Sequence, residues 1–176
     1  MRQRPDPHKS LVGFIVGDGA YAVPINYVRE IINPVPLTEL PRAPATVAGV
    51  VDHRDEVVVV LSLRAHLGIE EQPVPRSTRE KWILLRTEEG SIGLIVDQVT
   101  EVFGTAGEQL KPAPRVRGAE TRGFMGVFTR SGVLTFVLDV RVFEEVARSY
   151  RGDLVASFPA TTSPAQGVES ELGGNR

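Results

Sequence analysis

Residues 49–64, GVVDHRDEVVVVLSLR, decide how this chain is read. Val57, Val58, Val59, Val60 and Leu61 form an unbroken, mostly β-branched aliphatic run. Such side chains suit a pleated surface, and a continuous rather than alternating run predicts burial on both faces. Asp52, His53, Arg54 and Asp55 precede the run. Four titratable groups in the same dry layer would carry a large desolvation cost, so they are expected to project as a loop. The stretch therefore reads as a buried hairpin that presents a charged tip, with Arg54 placed to meet a partner.

Outward from this hairpin, Leu11 to Val16 and Ala20 to Pro24 read as strands joined at Gly17-Asp18-Gly19, whose glycines supply the positive φ of a tight turn. Ile25 to Ile32 has helix-like or irregular apolar spacing and ends at Asn33-Pro34, because a residue before proline avoids the helical region. Pro34, Pro36, Pro41 and Pro44 keep the following segment extended. A polar linker, residues 70–80, leads to a second pair of strands, Trp82 to Arg86 and Ser91 to Val96.

The second half repeats the first. Val28 stands nine residues after Gly19, and Val99 nine after Gly90, which aligns Val28-Arg29-Glu30-Ile31 with Val99-Thr100-Glu101-Val102. Gly49-Val50 matches Gly126-Val127, and Leu63 and Val140 each follow fourteen residues beyond the glycine. A period of roughly 70 to 80 residues suits a duplicated small domain rather than a solenoid. The expected lobes are residues 10–70 and 80–140, each with the short strands and Gly/Pro turns of a small barrel. A barrel of about 60 residues buries little core alone. The two are therefore expected to share an apolar layer, with a groove between them.

Phe143, Val146, Ala147 and Tyr150 recur at helical spacing, which predicts a short helix over 140–151 with Asp139 near its start and Gly152 just past its end. Residues 1–9 read as a flexible leader and 153–176 as a disordered tail, the latter from its Ser, Thr, Pro, Gly and Glu content.

Composition excludes several functions. A net charge of −2 and a pI near 6.0 give no reason to expect a nucleic-acid partner. The chain has no cysteine, hence no disulfide, thiolate nucleophile or cysteine metal site. Its start lacks the apolar core of a signal peptide, and no aliphatic run approaches the roughly 18 residues that span a bilayer. A cytoplasmic protein without membrane insertion is expected.

Chemical motifs are sought and not found. His53-Arg54-Asp55 resembles part of a kinase catalytic loop, but position 60, where that loop needs asparagine, is Val60. Gly17-Asp18-Gly19 lacks the third glycine of a nucleotide loop. His8, His53 and His66 share no ligand spacing. No catalytic residue, metal site or cofactor is expected. A small-ligand or oligonucleotide-binding barrel would need aromatic platforms on a basic strand face, and aromatics are 6% of the residues.

Candidate recognition residues remain. Arg54 offers a planar fork of donors that Asp52 and Asp55 either hold or screen. Glu30 and Glu101 are either solvated or at interfaces. Asp97 is expected to cap a turn, and Gly49, Gly93 and Gly126 to mark bulges or close backbone approach. Trp82, Phe124, Phe128 and Phe136 read as core.

The order Phe14-Ile15-Val16, Tyr21-Ala22-Val23-Pro24-Ile25, Val28-Arg29-Glu30-Ile31, Leu40-Pro41-Arg42-Ala43-Pro44 and Val47-Ala48-Gly49-Val50 with Arg54 resembles the CheW-type chemotaxis coupling proteins. Ile92-Gly93-Leu94-Ile95-Val96-Asp97-Gln98-Val99, Gly126-Val127 and Leu138-Asp139-Val140 extend the likeness over residues 10–150. The resemblance implies a mainly β fold of two tandem SH3-like five-stranded barrels with a short C-terminal helix, and no catalysis. It implies an adaptor between the regulatory domain of a CheA-type histidine kinase and the cytoplasmic tip of a methyl-accepting chemoreceptor. Recruitment to receptor arrays and ring assembly with other CheW-like domains follow from the same likeness. It places Val28, Glu30, Gly49, Arg54 and Asp55 at the kinase or receptor interface, and Gly93, Val96, Asp97 and Val99 along a groove for the receptor helix. Asp55 replaces a family glycine, Val59 a usual proline and Ser62 a usual aspartate. These departures point to a divergent paralogue, serving either chemotaxis or another chemosensory pathway, with both contacts or one.

Overall fold

The computed structural model describes residues 10–70, 78–105, 110–113 and 123–157, of which 152–157 as backbone only. The strands are β1 (Ser10–Val16), β2 (Gly19–Pro24), β3 (Val28–Ile32), β4 (Val47–His53), β5 (Glu56–Ser62), β6 (Lys81–Thr87), β7 (Gly90–Val96), β8 (Gln98–Gly104), β9 (Phe124–Arg130) and β10 (Val133–Leu138). A 3₁₀ turn (Ile25–Tyr27) precedes β3, α1 is Leu63–His66, and α2 is Val140–Ser157. The stretch with helix-like spacing, 25–32, is thus one turn followed by a strand. Its β-branched Val28, Ile31 and Ile32 pair with Leu85, Ile83 and Trp82 of β6, and sheet pairing overrides the ambiguous spacing.

Two five-stranded, barrel-like sheets result, ordered β8-β1-β2-β10-β9 and β3-β6-β7-β5-β4. The lobe limits expected from the repeat, 10–70 and 80–140, do not divide them. The first half gives β1 and β2 to one sheet and β3, β4 and β5 to the other, and the second half does the converse. Among the described residues the chain changes sheet at two places, the 3₁₀ turn after β2 and the β7–β8 junction. At the latter the Asp97 N–H donates to the Ile15 carbonyl at 3.0 Å. Hairpins stay together because their loops are short, while a connection that crosses lets each hairpin acquire neighbours it lacks within its own half.

The duplication is nevertheless preserved strand for strand. Tyr21 faces Phe136 in the parallel β2–β10 pair, as Ile92 faces Val59 in the parallel β7–β5 pair. Gly49 and Gly126 also play one part twice. Thr38 bridges Val50, and Lys111 bridges Val127, each through two backbone hydrogen bonds of 2.8 Å. A Cβ on Gly49 would overlap the Thr38 carbonyl, and one on Gly126 would sit 2.7 Å from the Lys111 carbonyl.

Three apolar layers follow from strand alternation. Val58 and Val60 point with Val51, Trp82 and Leu84 into one barrel, and Leu11, Ala22, Phe128 and Val137 fill the other. Val59 and Leu61 point the opposite way, into a middle layer that also takes Val12, Phe14 and Val23 from the first sheet and Ile83, Leu85 and Leu94 from the second. This is the shared layer expected between lobes. It explains the unbroken Val58–Leu61 run, both faces of which are covered. Val57, beside the tip, is 56% exposed.

Phe143 and Ala147 of α2 are buried in the middle layer, with Val146 and Tyr150 partly so. The helix runs past Gly152 to Ser157, so residues 153–157 are helical rather than part of a tail. Arg151 donates to the carbonyls of Glu89 and Ser91, which ties the helix down at that turn and offsets the low helix propensity of the glycine. The expected leader, 1–9, and residues 158–176 lie outside the described residues. Ser62 caps α1, its Oγ accepting the Ala65 N–H at 3.2 Å, as Asp139 accepts the Arg141 N–H at 3.2 Å on α2. The serine thus performs the capping that aspartate performs in the other copy.

Candidate functional site

The charged segment is tighter than a four-residue loop. Asp52 and His53 belong to β4, and His53 pairs with Glu56 across a two-residue turn. Arg54 and Asp55 have φ of 54° and 64°. Two consecutive positive φ values define the hairpin turn that matches the twist of paired strands, and aspartate adopts that conformation more readily than most residues. Asp55 therefore fills a glycine position without breaking the turn. In the other barrel Ser131 and Gly132 form the same turn, with φ of 48° and 80°.

The sheet order leaves β3 and β4 as outer strands, and side chains join them. The Glu30 carboxylate accepts from Arg54 Nη2 at 2.9 Å through Oε1, and its Oε2 lies 3.1 Å from His53 Nε2. With the carboxylate ionised, that histidine nitrogen is the donor. The His53 hydrogen bond is the largest influence on Glu30 and holds its carboxyl below the usual range. Burial opposes it, and the charges of Arg54, His53 and Arg29 reinforce it. Glu30, rather than the flanking Asp52 or Asp55, is thus what holds Arg54. One arm of the guanidinium is committed, and the side chain is still 67% exposed, which leaves donors for a partner.

A second pairing lies beside the first. Arg29 donates through Nη1 to Glu56 and, at 2.6 Å, to Ser91 Oγ. In the other barrel Arg130 donates from both terminal nitrogens to Glu101, one bond measuring 3.1 Å, and its guanidinium lies 4.4 Å from the Phe103 ring centroid. Glu101 is held below its usual range by the Arg130 hydrogen bond, with burial opposing. The repeat-equivalent glutamates Glu30 and Glu101 thus each close a barrel through an ion pair.

The expected interface residues separate into those the fold brings together and those it does not. Val28 and Glu30 share β3, and the Glu30–Arg54 bond joins that strand to the tip carrying Arg54 and Asp55. Gly49 is buried and serves the Thr38 bridge, so it presents no contact of its own. The expected groove needs correction too. Gly93 and Val96 lie on β7, an interior strand between β6 and β5, and both are buried. They do not line an open groove, because both faces of β7 are covered. Asp97 is half-buried and occupied: it accepts the Gly17 N–H at 2.7 Å, capping the β1–β2 turn as expected, and pairs with Arg64. Val99 is half-buried against the middle layer.

Sequence reasoning passed over Ile31 and Val102, which are 40% and 52% exposed on the outer strands β3 and β8. Their strand partners, Ile83 and Val12, lie in the middle layer. The signal was available, since the two residues are equivalent in the repeat. Arg29, Glu56 and Ser91 carried no such signal, because three separate strands must assemble before they meet.

Among the described residues, no group of three or more histidine, aspartate or glutamate side chains is arranged to hold a metal ion, and no helix is long and apolar enough to cross a membrane.

Comparison with known proteins agrees with this architecture. Residues 10–146 match the family model described as CheW-like domain. A chemotaxis protein CheW from Helicobacter pylori is 29% identical over 129 residues, covering 73% of this chain and 77% of that protein. Protein FrzA of Myxococcus xanthus is 32% identical over 128 residues, covering 72% and 78%. The crystal structure of the scaffolding protein TtCheW from Thermoanaerobacter tengcongensis superposes with a TM-score of 0.70 at 24% identity, over 80% of this chain and 89% of that one. A duplicated double barrel, an arginine held at a turn by a glutamate on the neighbouring edge, and a family model spanning both sheets lead to one conclusion: this chain belongs to the CheW-like domain family.

Proposed function

We propose that this protein is a non-enzymatic adaptor of chemotaxis-type signalling, and that it couples a CheA-type histidine kinase to the cytoplasmic tip of a chemoreceptor. Membership of the CheW-like family supports the adaptor role. The observation that carries the recognition reading is the Arg54 fork, held by Glu30 on one arm and exposed on the rest. Arginine in this state suits a carboxylate on a protein partner, since part of its ordering is complete before binding.

For the receptor helix, the apolar edges suit better than β7. Val28 with Ile31, and Val99 with Val102, lie on outer strands that border the middle layer. A helix docking there would place anchors at i, i+3 and i+4. Residence in the cytoplasm, at receptor arrays, belongs to the same proposal.

Titration calorimetry with the regulatory domain of a CheA-type kinase tests the reading. Binding in the micromolar range is expected, and weakening by Arg54→Glu with melting that stays cooperative. No binding at tens of micromolar overturns the kinase contact.

A further inference from the structure

Beside the Glu30–Arg54 contact, Glu56 is the hub of a second network. Its carboxylate receives Arg29 from β3 and, from β7, both the backbone N–H of Ser91 and its hydroxyl, the last at 3.2 Å. The Ser91 hydroxyl at the same time accepts from Arg29 at 2.6 Å. Arg151 of α2 donates to the Ser91 carbonyl. One carboxylate on β5 thereby ties together β3 and β7, with α2 bearing on the same residue. Burial pushes the Glu56 carboxyl up, but the hydrogen bonds from Arg29 and Ser91 and the Arg29 charge outweigh it, and the group is held low.

The other barrel is an internal control. In the repeat, Thr100 stands where Arg29 does, Val133 where Glu56 does, and Ala20 where Ser91 does. Those three residues form no ion pair, and the mouth of that barrel is an open cleft of about 270 Å³ lined by them with Tyr21, Phe103 and Arg130. Yet that barrel also closes, through Glu101 and Arg130. Closure of such a barrel therefore does not require the Glu56 network. What the network adds is adjacency: Arg29 precedes Glu30 on β3, and Glu56 follows the Arg54-Asp55 turn.

We propose that Glu56 is a positioning residue for partner recognition. Through Arg29 it fixes β3 against the β4–β5 hairpin, so that Glu30 keeps one arm of Arg54 and the rest of the guanidinium meets a carboxylate on a protein partner. This inference rests on the reading of Arg54 given above.

The test compares wild type with Glu56→Gln, and with the pair Arg29→Thr plus Glu56→Val, which gives this barrel the residues its twin carries. The first readout is the free protein, by NMR of the Glu30 carboxyl carbon against pH and of the Arg54 guanidinium. In both variants the Arg54 resonances are expected to average, and in Glu56→Gln, which keeps the Arg29 charge, Glu30 is expected to titrate nearer an ordinary carboxylate. The second readout is affinity for a CheA-type kinase regulatory domain. It is expected to fall about fivefold, and Arg54→Ala added to Glu56→Gln should cost much less than in wild type. Unchanged spectra, or an Arg54→Ala penalty that stays whole in the Glu56→Gln background, overturn the proposal. Absence of binding by wild type overturns the kinase contact instead, and the free-protein spectra still decide the positioning. If the paired variant fails to fold, Glu56→Gln, which keeps shape and Arg29, carries the decision alone.

Discussion

Replacing Gly49 by alanine isolates the backbone contact that closes the β4 side of the second barrel. Gly49 has φ of 151°, a conformation that costs an L-residue on the order of 2 kcal/mol. The added Cβ would overlap the Thr38 carbonyl and lie 3.1 Å from Leu37 Cδ1. The obstacle is backbone, so relief requires the Leu37–Thr38 segment to move. That movement breaks the two 2.8 Å hydrogen bonds between Thr38 and Val50, each worth about 1 kcal/mol net. The total is about 4 kcal/mol, which in a domain of this size lowers the melting temperature by about 10 to 15 °C. Gly126→Ala provides the comparison. Its Cβ meets the Lys111 carbonyl at 2.7 Å and threatens the equivalent bridge, but Gly126 does not have a positive φ. The expected loss is about half, on the order of 2 kcal/mol. Thermal unfolding followed by circular dichroism, with chemical denaturation for free energies, measures both. Equal losses at the two sites would refute the backbone-strain contribution. A Gly49→Ala protein that melts within about 3 °C of wild type would refute the close-approach argument altogether.

Other outcomes follow from the same geometry. Arg54→Glu is expected to weaken kinase-domain binding more than tenfold while leaving cooperative melting intact, because the side chain is exposed and its partner is at the rim; loss of cooperativity would make the arginine structural. Acid should destabilise the fold in a defined window. Glu30, Glu56, Glu101 and Asp139 are all held below their ordinary values. Their contribution is thus complete above the ordinary carboxylate pKa and disappears as pH falls through the lower folded values. Urea midpoints should be level between about pH 7 and pH 5 and drop below about pH 4, with Glu101→Gln showing a smaller drop. Trp82→Ala, at a fully buried site inside the second barrel, should cost about 3 to 5 kcal/mol, and an intact melting temperature by calorimetry would contradict its placement. Ile31→Asp and Val102→Asp should leave stability nearly unchanged and abolish chemical-shift changes on adding a receptor-tip helix; shifts that persist would move that contact elsewhere.

Much of this was written in local chemistry. Of the Val57–Leu61 run, Val58–Leu61 is the strand covered on both faces that its composition announces, because β-branched side chains on alternate sides need two cores, while Val57 beside the turn is exposed. The Gly49 and Gly126 pair, and the matched spacing from Gly19 to Glu30 and from Gly90 to Glu101, disclose a duplication that the sheets reproduce strand for strand. Family likeness follows from the same order of residues. Local chemistry also explains Asp55 and Ser62, since turn conformation and helix capping depend on a few neighbouring atoms.

Two things required the assembled molecule. One is which hairpin joins which sheet: within each half, strand pattern alone permits a self-contained barrel, and the crossings after β2 and β7 decide otherwise. The other is the company each charge keeps. Arg54 lies between two aspartates in sequence, yet it is held by Glu30, and Glu56 meets Arg29 and Ser91 from strands far away along the chain. Period and propensity act over a few residues and so are legible in order of sequence. Pairings of charge are settled by the closing of a sheet edge, which has no local signature.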